Sequence, residues 1–174
     1  MQRYFDTLAD TLVGVWVPGW QPRAKVRENA RAKFYFFDPG VVRTLANRVR
    51  DPLHDLEKGP LLETLLLHEL RAAMVYLNTG GEITYWRTPA GVEIDFIWKR
   101  GDWAVAIEVK GAVRWQREFS SALHRALEGR MVSQAYGVYL GSQILRVGQV
   151  QVFPLQNFLK HLWAGSVLAG TKAG

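Results

Sequence analysis

Hydrophobic and polar positions along the chain repeat with two periods, one of two residues and one near 3.6, which mark strands and helices in turn. "MQRYFDTLADTL" (1–12) places Tyr4, Phe5, Leu8 and Leu12 along one side of a short helix. "VGVWVPGW" reads as a strand and turn, and the basic stretch from Arg23 to Lys33 then reads as a loop, solvated or touching phosphates. "KFYFFDPG" predicts a strand closed by a turn, "VVRTLANRVR" a short helix and "DPLHDLEKG" a loop. The longest helical pattern is "PLLETLLLHELRAAMVYLN" (60–78), with proline in its first turn and Asn-Thr-Gly-Gly as its stop. "EITYWR" (82–87) is a strand, and "REFSSALHRALEGR" (117–130) is a helix with Phe119, Leu123 and Leu127 on one face and His124 toward solvent. "AYGVYL", "ILRVG" and "VQVFPL" predict three short strands, and "LQNFLKHLW" a closing helix. The order of helix, three strands, helix and further strands points to an α/β or α+β class with a mixed sheet.

The segment "GVEIDFIWKRGDWAVAIEVK" (91–110) carries the clearest pattern. Gly101-Asp102 between two alternating runs predicts a two-residue hairpin turn, because glycine accepts the positive φ such turns need. That turn sets Ile94, Phe96 and Trp98 against Val109, Ile107 and Val105 on an apolar face directed at a core. The other face pairs Ile97 with Ala106, Asp95 with Glu108, and Glu93 with Lys110. Two carboxylates directly opposite one another repel. A hard divalent cation such as Mg²⁺ or Mn²⁺ would turn that penalty into a binding site. Lys110 could then orient a metal-bound water or stabilise charge on a phosphate, and the small Ala104 and Ala106 would leave space for a ligand. The same charges would equally suit a solvated hairpin face without function.

Glu63 is the anomaly of the long helix, since Leu66, Leu67, Leu70 and Met74 continue its side. A carboxylate there needs a partner, because burying an unpaired charge is costly. A metal, an arginine such as Arg87, or partial exposure to water would each meet that need.

Composition narrows the picture. At 174 residues with a hydrophobic fraction of 48% and seven tryptophans, the chain suits one packed domain, or one with a small appendage. The absence of cysteine excludes disulfides and thiolate metal sites, and suits a cytoplasmic protein. No N-terminal signal pattern appears and no apolar run approaches a membrane span, so no membrane partner is expected. A net charge of +6 and a pI near 9.8 suit an acidic partner such as nucleic acid. Two apparent motifs fail. His68-Glu69 lacks the second histidine of a zinc-protease helix, since position 72 is alanine, and "GSVLAGTK" (165–172) has the P-loop glycine spacing but reverses its last two residues.

Four blocks in order, "KFYFFDPGVV", "GPLLETLLLHEL", "YWRTPAGVEIDFIW" and "AIEVK", resemble the C-terminal domain of unknown function found in many prokaryotic AAA+ ATPases. The resemblance runs from Lys33 to Leu155. That domain is similar to the PD-(D/E)XK nuclease superfamily, which implies a restriction-endonuclease-like mixed β-sheet flanked by helices. It divides the chain into an N-terminal extension (1–32), resembling the tail of a winged-helix-like segment, and a nuclease-like domain (33–174). The superfamily motif falls on Asp95, Glu108 and Lys110, with Glu63 matching the acidic residue often supplied by the first core helix. Mg²⁺- or Mn²⁺-dependent hydrolysis of DNA is implied, with Asp95, Glu108 and Glu63 as metal ligands and Arg87 and Glu93 as supporting or phosphate-contacting residues. The alternative is a non-catalytic module that binds DNA or docks on a protein, serving an AAA+ ATPase. Members of that family normally carry an upstream ATPase, and no ATPase motif lies in these 174 residues.

Overall fold

A computed structural model describes residues 2–20 and 31–169. The basic stretch predicted as a loop therefore lies largely outside the described residues, as does the end of the "GSVLAGTK" segment.

Helix α1 (Gln2–Asp10) leads into β1 (Gly14–Val17), which pairs antiparallel with β2 (Lys33–Phe36). Phe5 fastens the helix to this ribbon, stacking edge-on with Trp16 and Phe34 at ring separations of 5.9 and 4.8 Å. Tyr4 and Leu12, expected on the same side, are exposed instead. Leu12 lies beyond the helix with φ of 62°, so it no longer follows the helical period.

Asp38 caps α2 (Pro39–Leu45), its carboxylate accepting the N–H groups of Gly40 and Val41. The long helix α3 (Asp55–Tyr76) begins five residues earlier than the proline signal indicated. His54 and Glu57 form a reciprocal cap that starts it, and Pro60 lies inside the helix rather than in its first turn. The segment read as a loop thus supplies the opening turn of α3, because a satisfied cap outweighs one interior proline.

Three antiparallel strands follow, β3 (Glu82–Arg87), β4 (Glu93–Arg100) and β5 (Trp103–Lys110). A short 3₁₀ turn (Arg117–Ser120) and α4 (Ser121–Glu128) carry the chain back to β6 (Gln134–Tyr139), parallel to β5. Parallel neighbours need such a crossover. A small hairpin of β7 (Leu145–Val147) and β8 (Val150–Pro154) then leads to α5 (Leu155–Trp163). The six-stranded sheet has the order β3-β4-β5-β6-β8-β7 and mixes parallel and antiparallel pairs. The fold is α+β, with a mixed sheet between helices, as the element pattern predicted.

One core lies where α3 and α5 meet the sheet, uniting Leu62, Leu66 and Leu70 with Phe96, Trp98, Ile107 and Phe158. Val15, Val17 and Tyr35 of the β1–β2 ribbon join it. The opposite face of the sheet is covered by α4, through Ala122, Leu123 and Ala126 against Ile97, Ala104 and Ala106. The hairpin is therefore buried on both faces, and the solvated face weighed from the sequence does not exist. The two alanines make room for α4 and not for a ligand. Among the described residues, no helix is long and apolar enough to cross a membrane.

Candidate active site

The Gly101 turn forms as predicted, with φ of 58°, and the β4–β5 ladder runs in the expected register from Arg100–Trp103 to Phe96–Ile107. There the ladder ends. The cause lies on the other side of β4. Its pairing with β3 sets Thr84 opposite Ile97 but Trp86 opposite Ile94, so Tyr85 stands against both Asp95 and Phe96. This is a β-bulge, which leaves one residue unpaired and bends its strand. The bulge breaks the alternation: Ile94 packs with Ile97 in the α4-side core, not with Phe96 and Trp98 as a regular strand would have it. The cross-strand pairs predicted for Asp95 with Glu108 and Glu93 with Lys110 are likewise absent from the ladder.

Asp95 sits in the bulge and is buried, and its Oδ2 accepts the backbone N–H of Val109 at 2.8 Å. Glu108, also buried, bonds Lys110 Nζ through Oε1, while its Oε2 is buried without a hydrogen-bond partner. Lys110 Nζ lies 5.7 Å from the centre of the Phe119 ring. From α3, Glu63 accepts the Tyr35 hydroxyl at 3.1 Å, so its partner is neither Arg87 nor exposure to water alone. Arg87 instead lies 3.6 Å from Glu93 and is largely exposed. Glu93 also pairs with Lys33, whose ammonium lies 4.9 Å from the centre of the Tyr85 ring.

Sequence reasoning missed Lys33 and Tyr35. Both belong to β2, where the alternation of "KFYF" puts them on the side opposite Phe34 and Phe36. That alternation was the signal, but only the fold shows that this side meets the acidic cluster.

The electrostatics follow from crowding acids into a dry site. Burial, with Asp95 adding to it, pushes the Glu63 carboxyl up to about 7 against the pull of Lys33 and the Tyr35 hydroxyl. Burial and then Asp95 push Glu108 up to about 8, against Lys110. Burial also holds Asp95 above the usual carboxylate range, although Lys110 and the Val109 N–H oppose it. For Lys110, burial disfavours the charge, but Glu108, Asp95 and Glu63 outweigh it and raise its pKa. Burial and the charge of Glu63 likewise raise the Tyr35 hydroxyl well above its ordinary value. The site thus contains more potential negative charge than it can ionise unaided.

The structure brings Asp95, Glu108, Lys110 and Glu63 into one interacting group, with Glu93 and Arg87 paired beside it. Among the described residues, no three His, Asp or Glu side chains gather closely enough to hold a metal ion as they stand. The rejected zinc-helix reading of His68 is accounted for by structure: its Nε2 lies 2.7 Å from the Phe36 carbonyl, and Glu69 accepts the Trp163 indole N–H. His124, expected toward solvent, is half-buried against Gly148.

No curated protein and no solved structure matches the chain. Residues 58–158, which span α3 to α5 and include Glu63, Asp95, Glu108 and Lys110, match the family model described as "Domain of unknown function (DUF4143)". Since the match covers more than half of the chain, this protein belongs to that family.

Proposed function

We propose that this chain is a metal-dependent nuclease that hydrolyses DNA phosphodiester bonds, similar to the PD-(D/E)XK superfamily in the sites it uses. The observation that carries this reading is Glu108 Oε2, a buried carboxylate oxygen with no partner beside a second buried carboxylate and a lysine. Buried polar atoms are nearly always satisfied, and a bound cation would supply the partner that this oxygen lacks. Raised carboxyl pKa values point the same way, since a cation would relieve them.

The donor set fits a hard divalent ion such as Mg²⁺ or Mn²⁺, which takes carboxylate oxygens. Asp95 and Glu108 would hold it, while Glu63 on α3 stands too far off to join them as a third ligand without a shift of its side chain. A metal held there would supply Lewis acidity, polarising a phosphoryl oxygen and lowering the pKa of a bound water. Lys110 keeps its proton, so it acts as a fixed positive charge toward the scissile phosphate and not as a base. Asp95 holds the end of β5 in place through Val109. Lys33 and Arg87 pair with Glu93 beside the acidic cluster. The mixed sheet flanked by helices accords with a restriction-endonuclease-like fold, and the net charge of +6 favours a polyanionic partner.

A second reading rests on Lys110, which already meets Glu108 and so supplies a cation without metal. On that reading the domain binds DNA or docks on a protein such as an AAA+ ATPase, and the acidic cluster is structural. Among the described residues no arginine neutralises Glu63 or Asp95, which weighs against it.

The decisive experiment is cleavage of supercoiled and single-stranded DNA by the purified chain with Mg²⁺ or Mn²⁺, beside Lys110→Ala and Asp95→Asn. Metal-dependent cleavage lost in both variants supports the nuclease. Equal cleavage by all three indicates a contaminant, and DNA binding without cleavage in any of them supports the second reading.

A further inference from the structure

A second polar site lies on the α4 side of the sheet. A cleft of about 450 Å³ is lined by Arg117, Ser121, His124, Arg146, Val147 and Gly148. Two of these side chains are arginines and none is a carboxylate. Among the described residues, neither arginine makes an ion pair. Arg146 is oriented by one bond, from its Nε to the Gly148 carbonyl at 3.2 Å, which leaves the outer edge of the guanidinium for another partner. His124 Nε2 is shielded from solvent and has no hydrogen-bond partner. Gly148, with φ of 59°, lets the β7–β8 turn close over this ring, since a Cβ there would come within 2.8 Å of its Cε1. Ser121 opens α4 and contributes a hydroxyl.

We propose that this cleft binds a phosphate group, with Arg117 and Arg146 supplying charge and paired N–H donors, and Ser121 Oγ adding an oxygen contact beside the His124 ring. Guanidinium groups match phosphate oxygens in paired hydrogen bonds. The volume exceeds that of phosphate alone and lies in the range of small-ligand sites. The phosphate therefore belongs either to a nucleotide-sized molecule or to a nucleic-acid backbone. The site is separate from the acidic cluster: the 3₁₀ turn between them sends Phe119 under Lys110 and Arg117 into the cleft.

The test is a titration of the ¹⁵N-labelled full chain with inorganic phosphate at constant ionic strength, following the His124 ring nitrogens, with chloride and acetate as controls. A saturable response to phosphate is expected, weakened about tenfold or more in Arg117→Ala and in Arg146→Lys, which keeps the charge but loses the paired donors. No saturable response, an equal response to acetate, or unchanged affinity in both variants overturns the proposal. Competition by a nucleoside monophosphate but not by an oligonucleotide lacking terminal phosphates assigns a small ligand, and competition by both assigns the backbone. Cleavage activity does not enter this readout, so failure here is distinguishable from failure of the nuclease reading.

Discussion

Asp95 reaches from the bulge in β4 to the N–H of Val109 in β5 and accepts it at 2.8 Å. The β4–β5 ladder has already ended one residue earlier, at Phe96 and Ile107, so a side chain does there what a backbone carbonyl does elsewhere in the hairpin. The arrangement couples the acidic cluster to the fold. The carboxylate on which the proposed chemistry depends also ties down the end of the strand carrying Glu108 and Lys110.

That dual role separates two substitutions. Asp95→Asn keeps an acceptor for Val109 and should leave stability nearly unchanged, whereas Asp95→Ala orphans the N–H and should cost about 1–3 kcal/mol in urea unfolding. Both should lower metal-dependent cleavage by about 100-fold or more. Retention of cleavage in Asp95→Asn would remove Asp95 from the catalytic group.

The raised carboxyl pKa values make stability depend on pH. Glu63 at about 7 and Glu108 at about 8 bind protons in the folded chain that the unfolded chain releases near 4.5. Since the folded state then holds more protons, stability should fall as pH rises from about 4.5 to about 8, and level off above. Glu63→Gln should flatten part of that decline, leaving the variant more stable than the parent at the alkaline end by about 1–3 kcal/mol. Thermal melts across this range in metal-free buffer provide the check.

A divalent cation should reverse the same trend. Binding to the folded chain alone stabilises by mass action, about 2.7 kcal/mol at one hundred times Kd. Mn²⁺ or Mg²⁺ should therefore raise Tm at alkaline pH, and Asp95→Asn or Glu108→Gln should abolish the rise. An equal rise in both variants would place the ion elsewhere.

Tyr35 tunes Glu63. Its hydroxyl donates to the carboxylate and lowers a pKa that burial raises. Tyr35→Phe should shift the Glu63 titration to higher pH, and any ascending limb of the cleavage profile that follows Glu63 should move with it. NMR titration of the Glu63 carboxyl carbon measures this directly.

Gly111 sets how closely β5 approaches α3. A Cβ at this position would come within 2.5 Å of the Gly59 backbone nitrogen, in the first turns of the helix. Gly111→Ala should cost about 1–3 kcal/mol, as overpacking generally does. Because Lys110 precedes it, cleavage should fall as well, while Gly101→Asn in the open hairpin turn should be tolerated, since asparagine accepts positive φ.

Much of the architecture was legible in the amino-acid pattern because its causes are local. Alternation and the Gly101 turn determined the β4–β5 register as far as Phe96 and Ile107, and the same period marked out β3 at 82–87. Residue identity likewise singled out Asp95, Glu108, Lys110 and the anomalous Glu63. Local signals misled where two competed, as when Pro60 suggested a helix start that the His54–Glu57 cap sets earlier.

Only the tertiary structure decided what these residues meet. The bulge at Asp95 and Phe96 arises from a one-residue mismatch with β3, a strand whose register no property of β4 alone specifies. Lys33 and Tyr35 reach the acidic cluster because the β1–β2 ribbon packs against α3 and the sheet, bringing together positions 28 residues apart in the case of Tyr35 and Glu63. Burial of the hairpin's second face depended in the same way on the crossover through α4. Sequence period reports which side chains share a face, whereas the dielectric and partners at that face depend on non-local packing. That packing raises the carboxyl pKa values of Asp95, Glu63 and Glu108.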